Sequence, residues 1–210
     1  MIRSIAALLL LLLPSLVWAQ GTDDESPAEA ETGPARKGVY VQVGGLVAIP
    51  SFDSHITNGA GGPDFDPASA GGVDLVGGYR THERWATEFQ FTYVPGFEDT
   101  QLITTGGIRA DTMQVENLVF SINEKYFLMT DELQPYLKAG VGGLVGNLDG
   151  ITGNFRSSRS GGALRFGLGA DYYLGDHVLV YAEGGYVLPL SEQIGSFGFG
   201  SLSIGLGARF

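Results

Sequence analysis

From Gly38 onward the sequence alternates between apolar and polar or small positions. Gly38 to Ile49 sets Val39, Val41, Val43, Val47 and Ile49 against Tyr40, Gln42, Gly44 and Ala48. A period of two places successive side chains on opposite faces of an extended backbone, so the stretch predicts a strand. The pattern recurs. Gly72 to Arg80 sets Val73, Leu75 and Tyr79 against Asp74, Gly78 and Arg80, and Arg84 to Val94 sets Trp85, Phe89, Phe91 and Tyr93 against Arg84, Ala86, Glu88, Gln90 and Thr92. Met113 to Tyr126 sets Leu118, Phe120 and Ile122 against Asn117, Ser121 and Asn123. Met113 and Val115 are out of phase there, which predicts a β-bulge near Glu116 or Asn117, or a change of face. Gln134 to Val145, Gly162 to Tyr173 and Val178 to Leu188 follow the rule. So does Gly198 to Phe210, with Leu202, Ile204, Leu206, Ala208 and Phe210 on one face. The pattern predicts eight strands, the last of which must close the set.

The connections give the topology. Those after strands two, four and six are short, centred on Thr81 to Glu83, Met129 to Leu133 and Gly175 to Asp176. Those after strands one, three, five and seven are longer: Ser51 to Gly71, Pro95 to Thr112, Gly146 to Gly161 and Pro189 to Phe197. Tight turns at one end and long loops at the other are the signature of an all-β, eight-stranded antiparallel up-and-down transmembrane β-barrel. An even strand number leaves both termini on the turn side, which is the periplasm in that architecture. Tyr79, Trp85, Tyr126, Phe127, Tyr172 and Phe210 fall at the short-turn ends, with Tyr136 and Tyr173 there but pointing inward by phase. Tyr93 and Tyr186 fall toward the loops. Aromatic side chains prefer the lipid interfaces, so these make two girdles.

The apolar rows face outward in this reading, and Asp74, Glu88, Gln90, Lys138, Arg165, Asp171, Glu183 and Arg209 face inward. Charges inside a narrow barrel must pair or meet water. Arg165 and Glu183 become diagonal neighbours across a three-residue turn, and Glu88 and Lys138 stand at similar heights, so one mixed-charge network is expected, with Asp74 and Asp171 in it. Eight strands enclose a lumen that side chains can fill, which excludes a wide pore. Inward Gly140, Gly142, Gly167 and Gly169 leave open the alternative of room for water along part of the wall.

Residues 1–19 carry Arg3, an apolar run from Ile5 to Leu13 and a Val17-Trp18-Ala19 ending, as in a secretory signal peptide cleaved after Ala19. Residues 20–37 are acidic, short of large apolar side chains and interrupted by Pro27 and Pro34, which predicts a flexible periplasmic tail. Residues 38–210 are the barrel. The chain has no cysteine, which removes disulfide and thiolate chemistry. Losing Arg3 from 12 basic residues leaves 11 against 23 acidic ones, a formal charge of about −12 that argues against nucleic acid as a partner.

The alternating strands, the stretches Gln134-Pro135-Tyr136-Leu137-Lys138-Ala139-Gly140-Val141-Gly142-Gly143 and Leu164-Arg165-Phe166-Gly167-Leu168-Gly169-Ala170-Asp171-Tyr172-Tyr173, and the terminal Phe210 resemble the small OmpA-like and OmpX-like outer-membrane barrels. The resemblance implies a place in the outer membrane of a Gram-negative cell. It also implies insertion by the outer-membrane assembly machinery, with Leu202, Ile204, Leu206, Ala208 and Phe210 as the signal. Lipid and lipopolysaccharide are the expected surroundings, and a monomer is the expected state.

Catalysis finds little support. A nucleophile needs a base within reach, itself oriented by a third group. The chain has three histidines. His55 lies in the first long loop near Ser51 and Ser54, His82 in a turn, and His177 opens strand seven with Leu179 two positions on, where the lipid A deacylase type is expected to carry Ser. Asp53, Asp64 and Asp66 do not have the spacing of a calcium loop. Arg156 and Arg159 offer weak contacts for lipopolysaccharide phosphates. The sequence therefore predicts a non-enzymatic envelope protein without cofactor or metal, either structural or a narrow small-solute passage. An adhesion module acting through the long loops is the alternative, a lipid-modifying enzyme comes third, and a soluble lipocalin-like barrel is the alternative fold.

Overall fold

The structure is a computed structural model that describes residues 33–51, 68–103, 109–150, 156–191 and 197–210. The expected signal peptide, residues 20–32 of the expected tail, and Asp53, Ser54, His55, Asp64 and Asp66 lie outside the described residues. Eight strands run in order: β1 (Gly38–Pro50), β2 (Ala70–His82), β3 (Trp85–Ile103), β4 (Arg109–Phe127), β5 (Leu133–Gly150), β6 (Arg156–Tyr173), β7 (Val178–Pro189) and β8 (Phe199–Arg209). Each pairs antiparallel with the next, and β8 returns to β1 to close the barrel. Closure satisfies every strand edge, the condition for backbone to lie in lipid without orphaned polar groups.

The register fixes the dimensions. A row of paired residues runs Val39, Tyr79, Thr87, Glu124, Ala139, Phe166, Tyr186, Gly200 and returns to β1 at Ile49, ten positions above its start. Eight strands with that shear tilt by roughly 40°. Val43, Leu75, Phe89, Leu168, Leu202 and Ile204 stand exposed on the outer wall. Tyr40, Gln42, Glu88, Gln90, Lys138, Arg165 and Glu183 are buried inside. This is the expected facing of each strand.

Two expectations change. Pro95 to Thr112 and Gly146 to Gly161 are for the most part strand rather than loop, because β3 and β4 keep pairing from Phe97↔Val115 up to Ile103↔Arg109 and β5 and β6 up to Asp149↔Arg156. Their polar, Gly-rich composition reads as loop, yet backbone pairing continues wherever two strands leave the wall side by side. The bulge is real but sits on the other strand. Pro95 and Gly96 together oppose Glu116, between the pairs Val94↔Asn117 and Phe97↔Val115. Proline offers no donor, glycine accepts the bent backbone, and Gln114 donates to the Pro95 carbonyl at 3.2 Å across the break. β4 keeps its phase, and Val115 points inward like Asn117.

Candidate functional site

The lumen holds the charged residues that the sequence singles out, and one further lysine that completes their arrangement. Lys125 follows the inward parity of Ser121 and Asn123 on β4, so the backbone alone carries it into the interior. It becomes the centre of the site, with Nζ 3.1 Å from Glu88 Oε1 and 2.8 Å from Asp171 Oδ2. Beside a turn, between Glu124 and Tyr126, a lysine has the sequence signature of solvated surface. Lys138 Nζ lies 3.4 Å from Glu88 Oε2, pairs closely with Glu183 and donates to Gln90 Oε1 at 2.9 Å. Arg165 Nη2 stands 3.5 Å from Glu183 Oε1 and 3.9 Å from Asp74 Oδ1, while Nη1 donates to Thr92 Oγ1 at 2.9 Å. Asp74 accepts bonds from Thr92 and, at 2.8 Å, from Ser203.

Four carboxylates thus meet three cations, leaving one net negative charge in the connected set. Further donors are the Tyr40 phenol to Glu88 at 2.6 Å, the Tyr136 phenol to Glu183 at 3.0 Å and the Gln42 amide to Asp171 at 3.5 Å. Such a network is stable only when nearly every member is satisfied, because a lone charge at this depth costs several kcal/mol.

At the inward glycines the space of a side chain is already taken: a Cβ at Gly140 would meet the Asn123 amide and one at Gly142 the Phe120 carbonyl. A Cβ at Gly78 would run into the Tyr40 ring, at Gly169 into Tyr136, and at Gly44 or Gly205 into Tyr181. Tyr40, Tyr136 and Tyr181 each lie across a neighbouring strand's glycine, so the missing side chain is the space that the ring fills. Gly167 is likewise covered, with Lys138 Cε 3.3 Å from a Cβ there and Glu183 Oε1 3.2 Å away.

Above the charges, at the end of the long connections, the interior turns apolar. Leu46, Val94, Phe97, Val115, Val119, Leu144, Val187, Phe197 and Phe199 form one cluster, and the Phe97 and Phe199 rings lie 6.2 Å apart. Phe97 faces in because the Pro95–Gly96 bulge reverses the phase of β3.

At the opposite, short-turn end, Arg80 and Arg209 are buried among aromatics. The Arg80 guanidinium lies 4.0 Å from the Phe127 ring centre and Arg209 4.8 Å from that of Tyr173. Phe127, expected in the outer girdle, is therefore an inward residue. Tyr79, Trp85, Tyr172, Tyr186 and Phe210 are exposed on the outer wall, Tyr93 and Tyr126 are half-buried, and the Trp85 and Tyr126 rings pack 4.9 Å apart. Leu202, Ile204 and Leu206 form an exposed row on β8, continued by half-buried Ala208 and exposed Phe210. Arg84, expected inside, is exposed in the β2–β3 turn.

His177 Nδ1 contacts the Arg209 carbonyl and Arg36 Nη2, each at 3.1 Å. Among the described residues no group of three His, Cys, Asp or Glu side chains is placed to hold a metal ion.

The fold has known counterparts. The barrel is similar to the neisserial surface protein NspA, with 18% identity and a TM-score of 0.59 over 82% of this chain and 97% of that one. The outer membrane protein OprG of Pseudomonas aeruginosa gives 16% identity and 0.59 over 85% and 98%. Ail, the attachment invasion locus protein of Yersinia pestis solved with the heparin analogue sucrose octasulfate, gives 16% and 0.55 over 83% and 99%. Identities this low establish the fold alone, and no curated protein matches the sequence. The outer membrane protein beta-barrel domain matches residues 5–210, nearly the whole chain. With a closed eight-stranded barrel whose apolar wall faces out and whose charges face in, the chain belongs to the outer membrane protein beta-barrel domain family.

Proposed function

We propose that this protein is a non-enzymatic structural component of the outer membrane whose lumen is sealed. The observation that supports this best is the double filling of the interior. A solute entering from the long-connection end meets Phe97, Phe199 and Leu144, each buried, and then the ion pairs of Lys125, Lys138 and Arg165. Passage would require opening both an apolar layer and a charge network that are stabilised by unrelated forces. The narrow passage that the inward charges suggested is therefore the less favoured form of the envelope reading. His177, occupied by backbone and arginine, supports the absence of hydrolytic chemistry.

In this reading both termini are periplasmic, the outer wall meets lipid and lipopolysaccharide, and the barrel works as a monomer. The Leu202, Ile204, Leu206, Ala208 and Phe210 row is the signal read by the assembly machinery. A liposome-swelling assay with refolded protein and small sugars and amino acids tests the seal. No swelling above empty liposomes is expected, and size-dependent uptake would refute it.

Adhesion remains the second reading, favoured by strand length. A tilted strand crosses the hydrocarbon in about 9–11 residues, whereas β3 and β4 have 19 each and β5 and β6 have 18 each. Two paired ribbons therefore rise beyond the wall on one side of the barrel. Ail, solved with a heparin analogue, shows that a barrel of this fold has been captured with a polyanion. Binding of intact cells to a sulfated glycan, lost on shortening the β3–β4 ribbon, would move the function there.

A further inference from the structure

Residues 33–37, Gly-Pro-Ala-Arg-Lys, fall in the stretch expected to be a free tail, but they are bonded to the barrel. We propose that this segment is a strap that stops the short-turn mouth, with the Arg80 and Arg209 guanidinium pair as its receptor. The proposal rests on the sealed-lumen reading and adds a closure at the end opposite the apolar layer.

The receptor is unusual for its charge. Arg80 and Arg209 are each 1% exposed, and among the described residues neither has a carboxylate within ion-pair distance. Every acid of the lumen network is engaged by Lys125, Lys138 or Arg165 instead. A buried guanidinium needs acceptors: the strap provides those of Arg209 and shares those of Arg80 with Gln134 and the Glu83 carbonyl, which accepts from Arg80 Nε at 3.1 Å and from Nη2. Arg80 Nη1 donates to the Pro34 carbonyl at 3.3 Å and to Gln134 Oε1 at 2.7 Å. Arg209 Nη1 donates to the same Pro34 carbonyl, and its Nη2 to the Gly33 carbonyl at 2.8 Å. One peptide oxygen thus lies between two like charges from β2 and β8, and its dipole offsets their repulsion.

The backbone is shaped for this. Gly33 has φ +119° and Gly38 φ +154°, both disfavoured for any residue with a Cβ, and they bracket the segment. A Cβ at Gly38 would lie 2.6 Å from the Phe210 carbonyl oxygen. The first glycine turns two successive carbonyls toward the arginines, and the second lets the chain bend into β1. Arg36 pins the far side, donating from Nη2 to the Asp176 carbonyl at 3.1 Å in the β6–β7 turn. The strap therefore ties β2, β8 and that turn together across the mouth. Release would take both carbonyl acceptors from buried Arg209 and leave Arg80 held only by Gln134 and the Glu83 carbonyl, so the strap is the movable part of the closure.

The chain has no cysteine, so Ala35→Cys in the full-length protein gives a unique spin-label site. In the refolded barrel the label is expected to be immobilised. In the Arg80→Gln/Arg209→Gln background it should become several-fold more mobile, while the heat-shifted gel band shows that the barrel still closes. A label equally mobile with both arginines present, or still immobile once they are gone, overturns the strap. Should the double variant fail to close, Gly33→Val serves instead, because it strains the turn from outside the wall. It should free the label, and an immobile label there overturns the proposal. The readout is independent of conduction, so a leaky lumen with a docked strap would sink the seal and spare this inference.

Discussion

The two levels of the lumen solve one packing problem by opposite means. Near the long connections the space is filled by Phe97, Phe199, Leu144 and Val119, which need only fit. In the middle it is filled by Lys125, Lys138, Arg165 and their four carboxylates, which must also be paired. The difference teaches where the molecule is brittle. Removing volume from the apolar level costs contacts in proportion to what is lost, whereas removing one charge from the middle strands its partners in a medium that cannot solvate them.

The largest effect is therefore expected from Lys125→Ala, which leaves both Glu88 and Asp171 without their nearest cation. A loss of about 3–5 kcal/mol in urea unfolding from detergent micelles is the expected outcome. A loss under about 1 kcal/mol would mean that water already screens the site and that the two levels do not differ. Phe199→Ala should follow at about 3 kcal/mol, the cost of an apolar cavity. Phe199→Leu should recover most of it, because this level discriminates by volume; failure to recover would mean that ring geometry, not filling, is what matters.

Arg165→Ala is a milder break, since Glu183 keeps Lys138 and the Tyr136 phenol while Asp74 keeps Thr92 and Ser203. A cost of about 1–2 kcal/mol is expected. Because Arg165 and Glu183 share one network, the Arg165→Ala/Glu183→Ala double variant should lose less than the two single losses combined, by about 1 kcal/mol, in a double-mutant cycle. Strict additivity would show that their 3.5 Å separation carries no energy. Smallest is Tyr136→Phe, which keeps the ring over Gly169 and removes only the donor to Glu183, for about 1 kcal/mol. Gly169→Ala in parallel should be worse, because it evicts the ring itself.

How much of this the sequence shows follows the same division. Alternation makes strand facing legible from Val39 to Phe210, because lipid outside and side chains inside impose opposite chemistries on neighbouring residues. The Arg165–Glu183 contact is legible from parity on adjacent strands, but not as the expected diagonal pair: the turn falls at Gly175 to His177, Arg165 pairs with Val187 and Glu183 with Gly169, and the long side chains close the gap to 3.5 Å. Lys125 was within reach by parity with Asn123 and Ser121, but a lysine beside a turn reads as solvated surface. The apolar level is harder to see. Its residues occupy inward positions where a polar side chain is expected, so Val115 looks like a phase error on β4 when the irregularity is the Pro95–Gly96 bulge on β3. A Pro-Gly pair inside an alternating run was the available signal. The glycine-and-tyrosine fit is not readable from one strand at a time, since each ring and the glycine beneath it come from different strands.

The central claim is that both levels seal the barrel, and single-channel conductance in a planar bilayer tests it most directly. Refolded protein, with its heat-shifted band verified, is expected to give a silent trace, and Phe97→Ala/Phe199→Ala alone should stay silent because the charge level still blocks the path. Discrete, reproducible steps from the unmodified protein, altered in size by Glu88→Gln, would contradict the account and make the lumen a narrow channel.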